Sequence, residues 1–214
     1  MHKNFRKNRK TVRQILNHHF DRFGKCDRIK MLASHLKMPT LFFEKKDEEK
    51  TMIPERLAAL REKMRAYGVD AYLVPTADYH ESEYVGTYFK ARTYITGFTG
   101  SAGTAVITQD EACLWTDGRY FVQAAKELAG TGVTLMKMGQ EGVPTVEEYL
   151  AANTKEGMTI GFDGRVVNEM LGEALEKTLP ERFLSYRSDL IGEIWSDRPA
   201  LSAEPVWILD AKYR

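Results

Sequence analysis

Histidine is scarce in this 214-residue chain, and beyond Met52 only His80 remains. That scarcity limits the catalysis the chain can perform alone. A serine nucleophile at Ser101 or Ser82 would have one histidine to serve it, and neither serine lies in a G-x-S-x-G turn, so a complete triad has no support. Cysteine is nearly as rare. Cys26 and Cys113 are far apart, with no Cys-x-x-Cys spacing to suggest structural zinc. Cys113 sits in an apolar run and reads as a small buried hydrophobe. Two such thiols suit a reducing compartment, and the cytoplasm is the expected location. No apolar run approaches the ~20 residues that span a bilayer, and no segment reads as a secretory signal. Internal repeats and low-complexity segments are absent as well.

What the chain does contain is ordinary for a globular protein: 43% hydrophobic and 29% charged residues. A block of about 160 residues buries roughly 70% of its unfolded surface and needs no staple. The formal net charge of +1 conceals an asymmetry. Residues 1–51 carry 14 Lys plus Arg against 6 Asp plus Glu, whereas residues 52–214 carry 17 against 24. The two parts are therefore read separately.

The first part has no acid before Asp21. Val12, Ile15, Leu16, His19, Phe20 and Phe23 recur at helical spacing, which predicts a basic amphipathic helix over residues 11–23. A nucleic-acid arm or a membrane-surface helix is one reading of it. A flexible extension is the plainer one. A third expectation is that residues 1–51 are translated leader. Met52 begins the regular pattern, and Asp47-Glu48-Glu49-Lys50 just before it requires purine-rich codons, as a ribosome-binding sequence would. Sequencing the N-terminus of the natural protein tests this, and a start at Met1 would end the idea.

From Met52 onward helix and strand patterns alternate. Pro54 in a first turn precedes Leu57, Leu60, Met64 and Tyr67, and Gly68 closes the helix. A buried strand follows at 70–75, stopped by Pro75. Strands are predicted at 103–108 and 111–115, forming a hairpin about Gln109-Asp110. Further strands fall at 133–138, 158–162 and 183–186, with helices at 120–128, 146–153, 167–179 and 189–195. This alternation indicates an α/β three-layer domain, and the hairpin makes its sheet mixed. Val206-Trp-Ile-Leu209 has strand character, and either pairs back on the domain or opens another one.

Two regions are candidates for function. Residues 76–92 are polar, aromatic and irregular, the character of a long binding loop beside a rigid sheet. His80 in that loop is a rim residue or a functional one. Asp78, Glu81 and Glu83 around it lack a second histidine or a ligand from another element, so solvated loop charges or caps explain them better than a metal. The second region spans residues 94–120. Its glycines at 97, 100 and 103 are spaced G-x-x-G-x-x-G, which is not the dinucleotide fingerprint, so tight turns and close backbone approach are expected instead. Arg119 follows a turn at a strand end, where ligand crevices form. There a guanidinium can grip a carboxylate or carbonyl, or simply pair with Asp117 or a neighbouring acid.

In Asp78-Tyr-His-Glu-Ser-Glu-Tyr84, Ile95-Thr-Gly-Phe-Thr-Gly-Ser-Ala-Gly-Thr104, Trp115-Thr-Asp-Gly-Arg-Tyr-Phe121, Leu135-Met-Lys-Met-Gly139 and Trp195-Ser-Asp-Arg-Pro199, the chain resembles the N-terminal domain of the creatinase and prolidase superfamily. More closely it resembles the first domain of the three-domain Xaa-Pro aminopeptidases. The resemblance covers residues 53–209 and not residues 1–51. It implies an α/β/α fold with a mixed, mainly parallel sheet of ribonuclease H-like motif. It divides the chain into a basic extension or leader at 1–51, a creatinase-type domain at 52–199, and a linker with the first strand of a missing domain at 200–214.

The resemblance also implies a role. In such enzymes a C-terminal pita-bread domain holds two divalent metals, usually manganese, on two aspartates, a histidine and two glutamates, and cleaves the bond before proline. None of those ligands is assignable here, so this chain is expected to hold no cofactor and no catalytic residue. Arg119 carries over as a substrate-binding residue, and His80 matches a loop position of lesser standing. The implied partners are the chain's own catalytic domain, a proline-containing peptide and, in full length, a second copy, with neither nucleic acid nor membrane. A stand-alone peptide-binding or assembly module is the alternative.

Overall fold

The computed structural model describes residues 50–186, 189–205 and 207–213. The predicted extension at 1–51 and its helix at 11–23 lie outside these residues, except for Lys50 and Thr51. Helix α1 spans Ile53–Tyr67, with Pro54 in its first turn and Gly68 closing it at φ 66°. That positive φ is one glycine adopts at little cost, and it lets the Gly68 amide reach the carbonyl of Arg65 at 3.3 Å. Ile53, Leu57, Leu60 and Met64 form the buried stripe. Tyr67, expected on that face, is exposed instead, and its hydroxyl donates to Glu193 at 2.8 Å.

The strands are β1 Ala71–Pro75, β2 Thr104–Thr108, β3 Ala112–Thr116, β4 Thr134–Lys137, β5 Thr159–Phe162 and β6 Phe183–Ser185. The helices between them are α2 Ala91–Thr96, α3 Phe121–Leu128, α4 Val146–Asn153, α5 Glu169–Thr178 and α6 Leu190–Ile194. One six-stranded sheet has the order β4-β3-β2-β1-β5-β6. Pairing is antiparallel on both sides of β2 and parallel at the other three contacts, so β2 alone runs against the rest. The sheet is mixed and mainly parallel, as the alternation of patterns with one hairpin implied.

Alternation along the strands sorts the core into two layers. Tyr72, Val74, Ala105, Ile107, Ala112 and Leu114 face α1, α2, α3 and α6. Ala71, Leu73, Val106, Cys113, Trp115, Ile160 and Phe162 face α4 and α5. At ~1.5–3 kcal/mol for each large apolar side chain removed from water, the two faces supply the main driving force for this three-layer α/β/α architecture. Local sequence sets the helix starts. Thr145 accepts from the amide of Glu148 while Glu148 accepts from that of Thr145, a reciprocal cap that begins α4. Asn168 and Asp189 cap α5 and α6 in the same acceptor role.

Three expectations need correction. Residues 91–96, where no helix was predicted, form α2. The helix predicted at 167–179 carries its leucines and Met170 on one face, yet Met170 is exposed. Residues 207–209 form no strand and do not pair back on the sheet; Trp207 and Ile208 are largely exposed.

Candidate functional site

Because β2 is reversed, its start lies at the same end of the sheet as the ends of β1 and β3: Pro75 faces Thr104, and Thr104 faces Trp115. The loop after β1, the segment entering β2 and the turn after β3 therefore form one rim. The order β2-β1-β5-β6 also makes the gap between β1 and β5 a topological switch point, where α/β sheets commonly bind ligands.

The glycines of the second candidate region have the roles expected of them. Gly97 ends α2 at φ 76°. A Cβ on Gly100 would lie 2.2 Å from Cζ of Phe98 and 2.8 Å from Cδ1 of Tyr120, and one on Gly103 would lie 2.8 Å from the Trp115 carbonyl oxygen. The segment is pressed flat against its neighbours. Thr76 anchors it on one side, its hydroxyl donating to the Gly103 carbonyl at 2.7 Å, and Thr116 donates to that of Ala102 at 2.7 Å.

Arg119 stands on this rim. The turn from Asp117 brings its amide back to Asp117 Oδ1 at 3.0 Å, and its Nε and Nη2 hold the same carboxylate at 2.9 Å each. Those bonds pull the Asp117 carboxyl down to about 2 and raise Arg119 further above its ordinary range. Glu83, across in the loop after β1, adds a weaker favourable field. The expected pairing with Asp117 is thus present. It fixes the guanidinium without burying it, since the side chain stays 66% exposed. Nη1 makes no hydrogen bond among the described residues. Below it, Tyr120 lies 5.3 Å from the guanidinium, and its hydroxyl shares a 2.7 Å hydrogen bond with Ser101.

His80 is exposed on the loop after β1. Its backbone amide and that of Ser82 donate to Asp78 Oδ1 at 2.8 and 3.0 Å, which lowers the Asp78 carboxyl, Ser82 contributing most. Glu81 adopts a positive φ of 55°, rare outside glycine, and its carboxylate accepts from Asn168 Nδ2. The acids around His80 therefore hold the loop's own backbone and a neighbouring turn. Among the described residues no group of three or more His, Cys, Asp or Glu could hold a metal, so a dinuclear centre does not fit this part of the chain.

Two features escaped the sequence reading. Arg92 is 97% buried by its 3% exposure, and its guanidinium donates to Thr76 Oγ1 at 2.8 Å, to the Phe98 carbonyl at 2.7 Å and to the Gly100 carbonyl. Burial lowers it to about 10. Nothing in the local pattern marks this arginine as internal. The other feature is a duplicated triplet. Asp163-Gly164-Arg165 after β5 repeats Asp117-Gly118-Arg119 after β3, with the same three hydrogen bonds from arginine to aspartate. Here the letters themselves were the signal. Arg165 also binds Asp189, which in turn accepts from Arg198, whose Nε reaches the Tyr88 carbonyl at 2.9 Å.

Known proteins place this geometry. Residues 56–194 match the Creatinase/Prolidase N-terminal domain family. Aminopeptidase P2 of Arabidopsis thaliana is 40% identical over 176 residues, covering 79% of this chain and 25% of that protein. "Probable Xaa-Pro aminopeptidase P" of Talaromyces marneffei is 44% identical over 163 residues, covering 74% of this chain and 25% of the other. Among solved structures, the X-prolyl aminopeptidase of Caenorhabditis elegans, described as a cytosolic enzyme with a di-nuclear active site, superposes with a TM-score of 0.69 at 37% identity. That match covers 75% of this chain and 28% of the other. The chain spans about a quarter of the length of the relatives it matches. By the match over 56–194, together with the superposition on its solved relative, the chain belongs to the Creatinase/Prolidase N-terminal domain family.

Proposed function

We propose that this chain is the non-catalytic N-terminal domain of a metal-dependent Xaa-Pro aminopeptidase, one that in full length removes the residue preceding proline from peptides. Its part is to shape the substrate end of the active site and to support assembly. Relatives named as probable Xaa-Pro aminopeptidases match it at 40–44% identity. The observation that carries the pocket role is Arg119, an exposed guanidinium clamped at the sheet end by Asp117. So placed, it offers donors to a peptide carbonyl or carboxylate without having to be ordered on binding. His80, exposed on the adjacent loop, is the second substrate-binding candidate. The two metals, manganese by resemblance, belong to a C-terminal domain, and hydrolysis takes place there.

The reading extends to the rest of the protein: a creatinase-type domain at 52–199, a linker leading into a second domain from 200, a homodimer and a cytoplasmic location. Among the described residues no helix is long and apolar enough to cross a membrane. The test is made in the full-length protein that carries this chain. Arg119→Ala is expected to raise KM for an X-Pro peptide about ten- to hundredfold, the range for losing a hydrogen bond to a charged group, with metal content unchanged. Unchanged kcat and KM would remove Arg119 from the pocket. If the coding region ends at Arg214 with no peptidase domain after it, the stand-alone module replaces this reading.

A further inference from the structure

Arg92 is the most deeply buried charged side chain among the described residues, and no carboxylate among them bonds it; its donors end on two carbonyls and a hydroxyl. Burying a guanidinium this way is costly when an apolar side chain could fill the same volume. Both carbonyls belong to the segment entering β2, and Thr76, the third partner, lies at the end of β1 and also bonds Gly103. Arg92 thus ties the two sides of the rim from beneath. Its guanidinium also lies 4.7 Å from the centre of the Phe98 ring, which meets the Tyr120 ring edge to face with centroids 5.8 Å apart. Gly100, gripped through its carbonyl, has room for no side chain between Phe98 and Tyr120. Tyr120 is also held by Ser101, and Arg119 rests beside its ring.

We infer that Arg92 is a positioning residue for Arg119, holding residues 98–101 against Tyr120 so that the guanidinium above meets a peptide substrate at a fixed height. The inference rests on the proposed pocket role of Arg119. A lysine at position 92 keeps the charge but presents one ammonium in place of a planar fork, and cannot serve all three acceptors with the same geometry.

The experiment is a double-mutant cycle in the full-length enzyme, with an X-Pro peptide as substrate and Arg92→Lys, Arg119→Ala and their combination as variants. Arg92→Lys is expected to raise KM about three- to tenfold, less than the hundredfold that a 1 Å misplacement can cause, with kcat little changed. On the Arg119→Ala background its effect should vanish, because the two act in one chain of contacts. Full additivity would overturn the inference while leaving Arg119 in the pocket. No effect of Arg119→Ala alone would instead overturn the pocket reading, and this inference with it. Should Arg92→Lys fail to fold, Tyr120→Phe decides: it removes only the link to Ser101, and must raise KM alone but not on the Arg119→Ala background. An unchanged KM in Tyr120→Phe would overturn the relay.

Discussion

The tightest contact on the rim makes a prediction about stability that needs no assumption about function. Gly100→Ala introduces a Cβ at 2.2 Å from Phe98 Cζ, 2.9 Å from Phe98 Cε1 and 2.8 Å from Tyr120 Cδ1. Carbon atoms pack at about 3.5–4.0 Å, so the shortfall is about 1.3–1.8 Å against Phe98 and about 0.7–1.2 Å against Tyr120. Neither ring has an easy retreat. Phe98 is fully buried under the Arg92 guanidinium, and Tyr120 is tied to Ser101. Overpacking of this kind costs about 1–3 kcal/mol, and two blocked rings put this site at the upper end. For a domain of this size each kcal/mol moves Tm by about 2–4 °C, so Gly100→Ala should lower it by about 6–12 °C. Gly172→Ala supplies the opposite sign as a control. Gly172 lies within α5 with nothing near its would-be Cβ, and the better helix former should add about 0.5–1 kcal/mol. Thermal denaturation followed by circular dichroism reads both. A Tm for Gly100→Ala within about 1 °C of the parent would refute the close approach, and with it the rigidity ascribed to the segment entering β2.

The Asp117–Arg119 pair gives a pH signature. A carboxyl held at about 2 in the folded chain, below its ordinary value near 4, contributes stability that is complete above about pH 4 and lost as the pH falls through about 2. Arg119→Gln should raise the Asp117 midpoint in a carbon-detected NMR titration. Both side chains are more than a third exposed, so the difference should also shrink in high salt; an unmoved midpoint would contradict the pairing. Cys113 is buried and its thiol is pushed up, chiefly by desolvation. It should remain unalkylated in the native protein at pH 8 and react after denaturation, as peptide mapping would show, and rapid native labelling would contradict its place in the core.

The outline of the domain was legible because the local signals agreed with the tertiary answer. Gly68 marked the end of α1, and Gln109-Asp110 lay between two apolar runs that pair as β2 and β3. Where local and tertiary instructions separate, reading failed. Helix α2 has six residues, two of them threonine and one isoleucine, too short for a period and poor in helix formers. Packing of Ile95 and the grip of Arg92 on residues ahead of it hold it instead. Arg92 was missed for the same reason: arginine is rarely internal, and its acceptors are carbonyls, which every residue carries. On the rim, the turn that presents Arg119 was readable from its glycine and its position after a strand. The support beneath it was not.

The two Asp-Gly-Arg turns show what sequence and topology each decide. Both follow a strand end, and in both the arginine returns its amide, Nε and Nη2 to the aspartate, so the triplet alone dictates a clamped guanidinium. What differs is what the fold brings beside it. At the end of β5 the cap of α6 supplies Asp189, which binds Arg165 at 2.9 Å and Arg198 with the same oxygen, and the ring of Tyr79 lies 6.0 Å from the guanidinium. The second carboxylate makes Arg165 part of a network joining the turn, α6 and the segment after it. At the end of β3 no such second acid among the described residues bonds Arg119; Glu83 acts on it only through space. Two positive charges share two carboxylates at one turn, while one charge keeps one carboxylate and an open edge at the other. The same three residues thus close one corner of the sheet and leave the other able to take an acceptor from outside, and the difference is made by an aspartate 24 positions beyond Arg165.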